Sequence, residues 1–248
     1  PEPDTVIVFT DANATFASDA IELLRTRLQE GAVCAVGRLE FTEAVTGTAR
    51  AEGLYWRYEN WLKRREGRLG RLPIANGAIF AARARDIPHL PSEVGNDFWI
   101  PIVALGSGRP VVYEPRAVAS EPAPAEDAEE FGRKLRMGNR QMRGVIECWK
   151  HLDRTTRFQL VSHKVLRWLG IPLLAVVGGT GLLLWDQHLV YRVAAGGLLL
   201  SLLLAAIGAT AHRLGRRIPV ASLAAHFFLV HLAALIGLAE ALVGRTRS

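Results

Sequence analysis

Residues 6–13, Val-Ile-Val-Phe-Thr-Asp-Ala-Asn, decide the fold class of this chain. The first five are β-branched or aromatic, which predicts a short buried strand that ends at Asp11. In open α/β sheets, ligands bind beyond the carboxyl ends of the strands. We therefore expect Asp11 and Asn13 to lie at a ligand site. The alternative is that Asp-Ala-Asn forms only a turn or helix cap.

The residues that follow alternate between helical and extended patterns. The predicted helices cover residues 18–30 and 52–65, and residues 98–105 predict a short helix or a turn. The predicted strands cover 32–41, 77–82 and 111–113, the last closed by Pro115. Helices that alternate with strands are typical of an α/β domain. We predict such a domain over residues 1–120.

The second half of the chain has a different composition. Residues 121–130 are rich in Pro, Ala and acidic side chains and predict a linker or an exposed loop. Residues 131–167 predict amphipathic helices at a membrane surface. Apolar stretches at about 168–185, 193–211 and 218–243 then predict about three membrane spans, since a helix needs roughly 20 apolar residues to cross a bilayer.

Charge is distributed unevenly along the chain. Residues 1–130 hold 14 Lys and Arg against 20 Asp and Glu, whereas residues 131–167 hold 10 against 2. The basic belt therefore precedes the apolar tail, as in membrane proteins that keep Lys and Arg on the cytoplasmic side. The acidic first part excludes a nucleic-acid-binding module as the explanation of the high pI. Two unrelated cysteines, Cys34 and Cys148, indicate neither a disulfide framework nor a metal site.

Two further motifs carry groups that suit catalysis or phosphate binding. Asp97 stands beside aromatic residues at the start of a predicted helix, where it is either a general base with a raised pKa or a helix cap. Arg133 and Arg136 lie on neighbouring sides of one helical turn. Such a pair either binds phosphate groups or lies against lipid.

Taken together and in order, these motifs resemble a known family. The segments that carry the resemblance are VIVFTDAN (6–13), YWRYENWLKRREGRLGRLPIANGAIFAAR (55–83), NDFWIPIVALGSGRPVVYEPRAVASE (96–121), FGRKLRMGNRQ (131–141) and FQLVSHKVLRWLGIP (158–172), followed by membrane helices. The order is similar to that of the membrane-bound family-2 glycosyltransferases, which include the cellulose, hyaluronan and exopolysaccharide synthases. The resemblance covers nearly the whole chain and the second half of the family's catalytic domain.

The resemblance implies a GT-A fold and an inverting transfer of a sugar from a nucleotide-sugar donor, a UDP-sugar by preference. It implies that Asp11 and Asn13 meet the donor diphosphate and its Mg²⁺ or Mn²⁺, with Asn in place of the family's last Asp. It implies that Asp97 is the base that deprotonates the acceptor hydroxyl. The residues that it places at the donor diphosphate or the acceptor are Asn76, Gly77, Ala78, Arg133, Lys134, Arg136 and Met137.

The implied acceptor is a growing polysaccharide or another glycan at the cytoplasmic side of a bacterial inner membrane. Two alternatives stay open: a transferase of the same fold that acts on a lipid-linked or polyprenyl acceptor, and a non-catalytic membrane scaffold or transport protein. The implied partners are membrane lipid and an export subunit, with no nucleic acid. We also expect this chain to lack the family's first nucleotide-binding half and to be inactive in isolation.

Overall fold

The fold is a mixed α/β arrangement around a curled five-stranded sheet. A computed structural model describes residues 1–42, 49–122, 127–216 and 218–245, except for the side chains of 49–57, 127–130, 133, 134, 164 and 167. The strands are β1 (Val6–Phe9), β2 (Thr15–Phe16), β3 (Cys34–Phe41), β4 (Phe80–Arg83) and β5 (Val111–Glu121), in the spatial order β1-β4-β3-β5-β2. β3 and β5 are parallel, and the other neighbouring strands are antiparallel.

β5 is longer than the sequence predicts, since the strand does not end at Pro115. The register with β3 jumps from Val36 opposite Tyr113 to Arg38 opposite Val118, so the residues between Tyr113 and Val118 bulge out of the ladder. A proline cannot donate a ladder hydrogen bond and is tolerated at such a bulge. The strand then continues to Glu121, one residue into the predicted linker.

Helices cover the two faces of the sheet. α1 (Ala20–Gln29) packs Ala20, Leu24 and Leu28 against one face. On the other face, α3 (Asn96–Gly106) contributes Ile100, Ala104 and Leu105 to a core with Phe80 and Val111. α2 (Ala49–Arg68) contacts the sheet through β5. The described part of residues 1–120 therefore has the predicted α/β character.

The basic segment is helical and packs against both the sheet region and the apolar tail. Its helices are α4 (Asp127–Cys148), α5 (Arg154–Leu160) and α6 (Leu166–Trp168), with a wide π-helical turn over Val161–Val165. Residues 127–130 of the predicted linker thus belong to a helix. One buried cluster joins Phe98 of α3, Val145 of α4 and Leu160 of α5.

The apolar tail contains two helices long and apolar enough to cross a membrane among the described residues. They are α8 (Leu189–Arg213) and α9 (Pro219–Leu242), with mean hydropathies of 2.1 and 2.0. The first predicted span contains a shorter helix, α7 (Gly170–Leu183), of 14 residues. At 1.5 Å per residue α7 is about 21 Å long, which is less than the roughly 30 Å hydrocarbon core of a bilayer.

Candidate functional site

Asp11 lies directly against Gly77, so two of the predicted motifs meet in space. A Cβ atom added to Gly77 would lie 2.9 Å from Asp11 Oδ2 and 3.1 Å from Oδ1. The sheet explains the contact, because antiparallel pairing of Phe9 with Phe80 brings the end of β1 to the start of β4. The rings of these two phenylalanines stack with centroids 4.4 Å apart and fix the register. Asn13 is exposed, and the close approach to Gly77 is made by Asp11.

Asn76 holds the turn that carries Gly77. Its Nδ2 donates to the carbonyl of Gly37 over 2.7 Å, and its Oδ1 accepts from the backbone N–H of Ile79 over 2.9 Å. The turn is thereby tied to β3 on one side and to the start of β4 on the other. Ala78 is buried, whereas Gly77 is partly exposed beside Asp11. The sequence singled out all three residues, and the structure assigns Asn76 a positioning contact.

Asp97 joins the same region through its backbone. Its carbonyl accepts from the N–H of Ala75 over 2.9 Å, one residue before Asn76. The side chain is partly exposed in the first turn of α3, and a Cβ atom added to Gly95 would collide with its Oδ1. The segment 75–77 therefore lies between Asp11 at the end of β1 and Asp97 at the start of α3.

α4 anchors the loop that leads into Asp97. Arg143 Nη1 lies 2.6 Å from Glu93 Oε2, and Arg140 Nη2 donates to the carbonyls of Ser92 and Val94 over 3.5 and 3.4 Å. Gly144 of α4 also packs against the ring of Phe98. Sequence reasoning missed Arg140 and Arg143. The signal was present, since the basic residues at 133, 136, 140 and 143 recur at helical spacing.

The remaining predicted residues of α4 are less defined in position. The side chains of Arg133 and Lys134 lie outside the described residues. Arg136 is exposed, and its Nη1 lies over the preceding turn at Gly132. Met137 is exposed as well. Thus residues 140–144 of α4 contact the residues on either side of Asp97. Arg136 and Met137 lie one to two helical turns before them and face outward.

A metal ion at this site would be bound by few protein side chains. In the described parts of the chain, no group of three or more His, Cys, Asp or Glu side chains is placed to hold one. Mg²⁺ often takes only one or two carboxylates and completes its shell with phosphate oxygens and water. The exposed carboxylate of Asp11 fits that mode of binding.

Comparison with known proteins identifies no family. No protein-family model matches the sequence, and no curated protein matches it either.

Proposed function

We propose that this chain belongs to a membrane-bound glycosyltransferase of the GT-A type that transfers a sugar from a nucleotide-sugar donor to a glycan acceptor. One observation carries the proposal: Asp11, the 76–78 turn and Asp97 come from separate parts of the sequence and meet along segment 75–77. The resemblance assigns these three motifs to the diphosphate, the acceptor and the base. Their convergence is what a transferase of this kind requires.

Asp97 is the proposed general base. Its carboxylate would take the proton from the acceptor hydroxyl as that oxygen attacks the anomeric carbon and the bond to the diphosphate breaks. A base held in place contributes about 10²- to 10⁴-fold to such a reaction. The contact with Ala75 and the anchoring of loop 92–94 by α4 would hold Asp97 in position.

Asp11 is the proposed contact for the donor diphosphate and its Mg²⁺ or Mn²⁺. The metal would supply positive charge that offsets the negative charge of the leaving diphosphate. Asn13 would add a neutral oxygen ligand. The small residues Gly77 and Ala78 would leave room for a sugar ring above the turn.

α4 would connect this site with the membrane. Arg133, Lys134, Arg136 and Met137 stand where the resemblance places a basic element at the diphosphate, and the same helix packs along α9. Gly138 lies against Ala234, and Gly237 packs against the backbone of α4 at Leu135 and Asn139. This packing supports catalysis beside a bilayer.

The test is transfer of labelled sugar by membranes that contain the full-length protein. Asp97→Asn is expected to abolish transfer and to spare donor binding, because an amide of the same shape cannot accept the proton. Asp19→Asn is the matched control, since Asp19 is exposed, precedes α1 and makes no side-chain cap. Normal turnover in Asp97→Asn would contradict the assignment.

A further inference from the structure

A cavity of about 700 Å³ lies between α4, α8 and α9. Its walls come from the first turns of α4, the C-terminal two turns of α8 and the first half of α9. They are mostly small or apolar, and include Phe131, Ala205, Gly208, Ala209, Ala225 and Phe228. α8 and α9 touch closely beside it, since a Cβ atom added to Gly208 would collide with the carbonyl of Ala221.

One side of the cavity carries polar side chains and one cation, Arg213. His212 and Arg213 line it at the end of α8, and His226 lines it from α9. Arg213 is exposed and makes no ion pair with any described residue. The end of a membrane-spanning helix lies at the membrane surface, where Arg side chains reach the headgroup level. A cation therefore sits at headgroup level beside an apolar cavity that extends along the two helices.

We propose that this cavity binds one phospholipid with an anionic headgroup. The phosphate would lie at Arg213 and His212, and an acyl chain would lie along the small residues of α8 and α9. Charge selects an anionic lipid over a zwitterionic one, because Arg213 brings a positive charge that no described carboxylate offsets. Phe131 makes α4 part of the same wall, so the lipid would contact the helix that carries Arg136.

The experiment is native mass spectrometry of the purified chain in detergent micelles that contain phosphatidylglycerol and phosphatidylcholine in equal amounts. We expect one phosphatidylglycerol to stay bound. Arg213→Gln should weaken its retention by about fivefold, the effect expected for one cation beside an anionic lipid. Arg216→Gln is the matched control, because Arg216 is exposed near the same helix end and does not line the cavity. Ala209→Phe, which fills the cavity, should remove the lipid and leave the charge unchanged.

Four results would overturn the proposal. Equal losses in Arg213→Gln and Arg216→Gln would mean that general surface charge holds the lipid. Retention in Ala209→Phe would place the lipid outside the cavity. Equal binding of phosphatidylcholine would remove the role of charge, and displacement by inorganic phosphate would indicate a site for free anions.

Discussion

Gly77 is the residue on which the geometry of the candidate site depends most directly. Its backbone conformation is open to any residue, so what matters is that Gly77 has no side chain to collide with Asp11. The Gly77→Ala variant would put a methyl group 2.9 Å from Asp11 Oδ2 and force the carboxylate to move. We expect the KM for the nucleotide sugar to rise by about tenfold, because small displacements of a positioned group are costly.

The control for Gly77→Ala is Gly179→Ala. Nothing lies within 4 Å of a Cβ atom added at Gly179, so this second variant makes the same chemical change without a collision. The measurement is the KM for the nucleotide sugar, determined for both variants under the same conditions. A Gly77→Ala enzyme with an unchanged KM would show that the carboxylate of Asp11 does not meet the donor.

Asp11 and Asn13 differ in charge, and this difference yields a second prediction. Asp11→Ala should weaken metal-dependent donor binding more than Asn13→Ala does, because hard cations prefer carboxylate oxygen. Asp11 is also the one of the two that lies against the 76–78 turn. Titration of Mn²⁺ against both variants measures the effect, and a larger loss from Asn13→Ala would reverse the two roles.

At the scale of elements, α4 positions the loop before Asp97. Arg143→Gln would remove the ion pair with Glu93 and loosen residues 92–94. We expect kcat to fall by about tenfold with little change in the donor KM, since the variant disturbs the position of the base and leaves Asp11 in place. Arg25→Gln is the control, because its ion pair with Glu22 is exposed and worth little. Equal kcat values for the two variants would count against a positioning role for Arg143.

The bulge of β5 depends on a buried carboxylate. Burial opposes the ionisation of Glu114, but hydrogen bonds from Arg116 and Arg27 outweigh it and lower the pKa of the carboxyl from 4.5 to about 2. Because the folded-state pKa is the lower one, this stabilisation is present above about pH 4.5 and is lost as the pH falls towards 2. Glu114 thereby ties the end of α1 to the bulge around Pro115.

We therefore expect Glu114→Gln to lower the free energy of unfolding by about 2 kcal/mol near neutral pH, a value reduced for the solvent exposure of both arginines. The difference in Tm between wild type and variant should shrink as the pH falls through the window from 4.5 to about 2. Thermal unfolding of the purified chain across that window measures it. Glu22→Gln, an exposed carboxylate on α1, should show a small difference at every pH. A constant Tm difference for Glu114→Gln would exclude the proposed linkage.

At the scale of the whole molecule, local patterns predicted elements better than contacts between elements. The run of β-branched and aromatic residues at 6–10 predicted β1 almost to the residue, since strand composition is a local property. The prediction that β5 ends at Pro115 was wrong, because the strand continues through a bulge, and a bulge depends on the pairing with the partner strand. Arg140 and Arg143 were missed for the same reason: their role depends on the loop at 92–94, which is far away in sequence. The meeting of Asp11 with Gly77 needed the β1–β4 register, which no single motif contains.

The last prediction concerns how the whole chain crosses the membrane. Arg213 ends α8 and Arg216 lies in the turn that follows, and the positive-inside rule places such a turn in the cytoplasm. Charge is the argument for this orientation, and packing argues against it: Leu238, near the other end of α9, shares a buried cluster with Phe98 and Val145 of the sheet region and α4. We expect residues 1–120 and the 212–217 turn in the cytoplasm and the turn at 186–188 outside. α7 then has to cross a locally thinned bilayer, which costs fractions of a kcal/mol per Å of mismatch.

Single cysteines at Gln187, Gly215 and Ser248, treated with an impermeant thiol reagent on intact cells, test this arrangement. Burial raises the pKa of the Cys34 and Cys148 thiols to about 12, so the native cysteines stay protonated and give little background. We expect labelling at positions 187 and 248 and protection at 215. Ser248 itself lies outside the described residues. Just before it, Asn139 of α4 donates to the carbonyl of Arg245, a contact that favours the cytoplasmic side for the end of α9. Protection at both 187 and 248 with labelling at 215 would contradict this arrangement. It would mean that α7 does not cross the membrane and that α8 and α9 are the two spans. The contact of Asn139 would then outweigh the charge of the 212–217 turn.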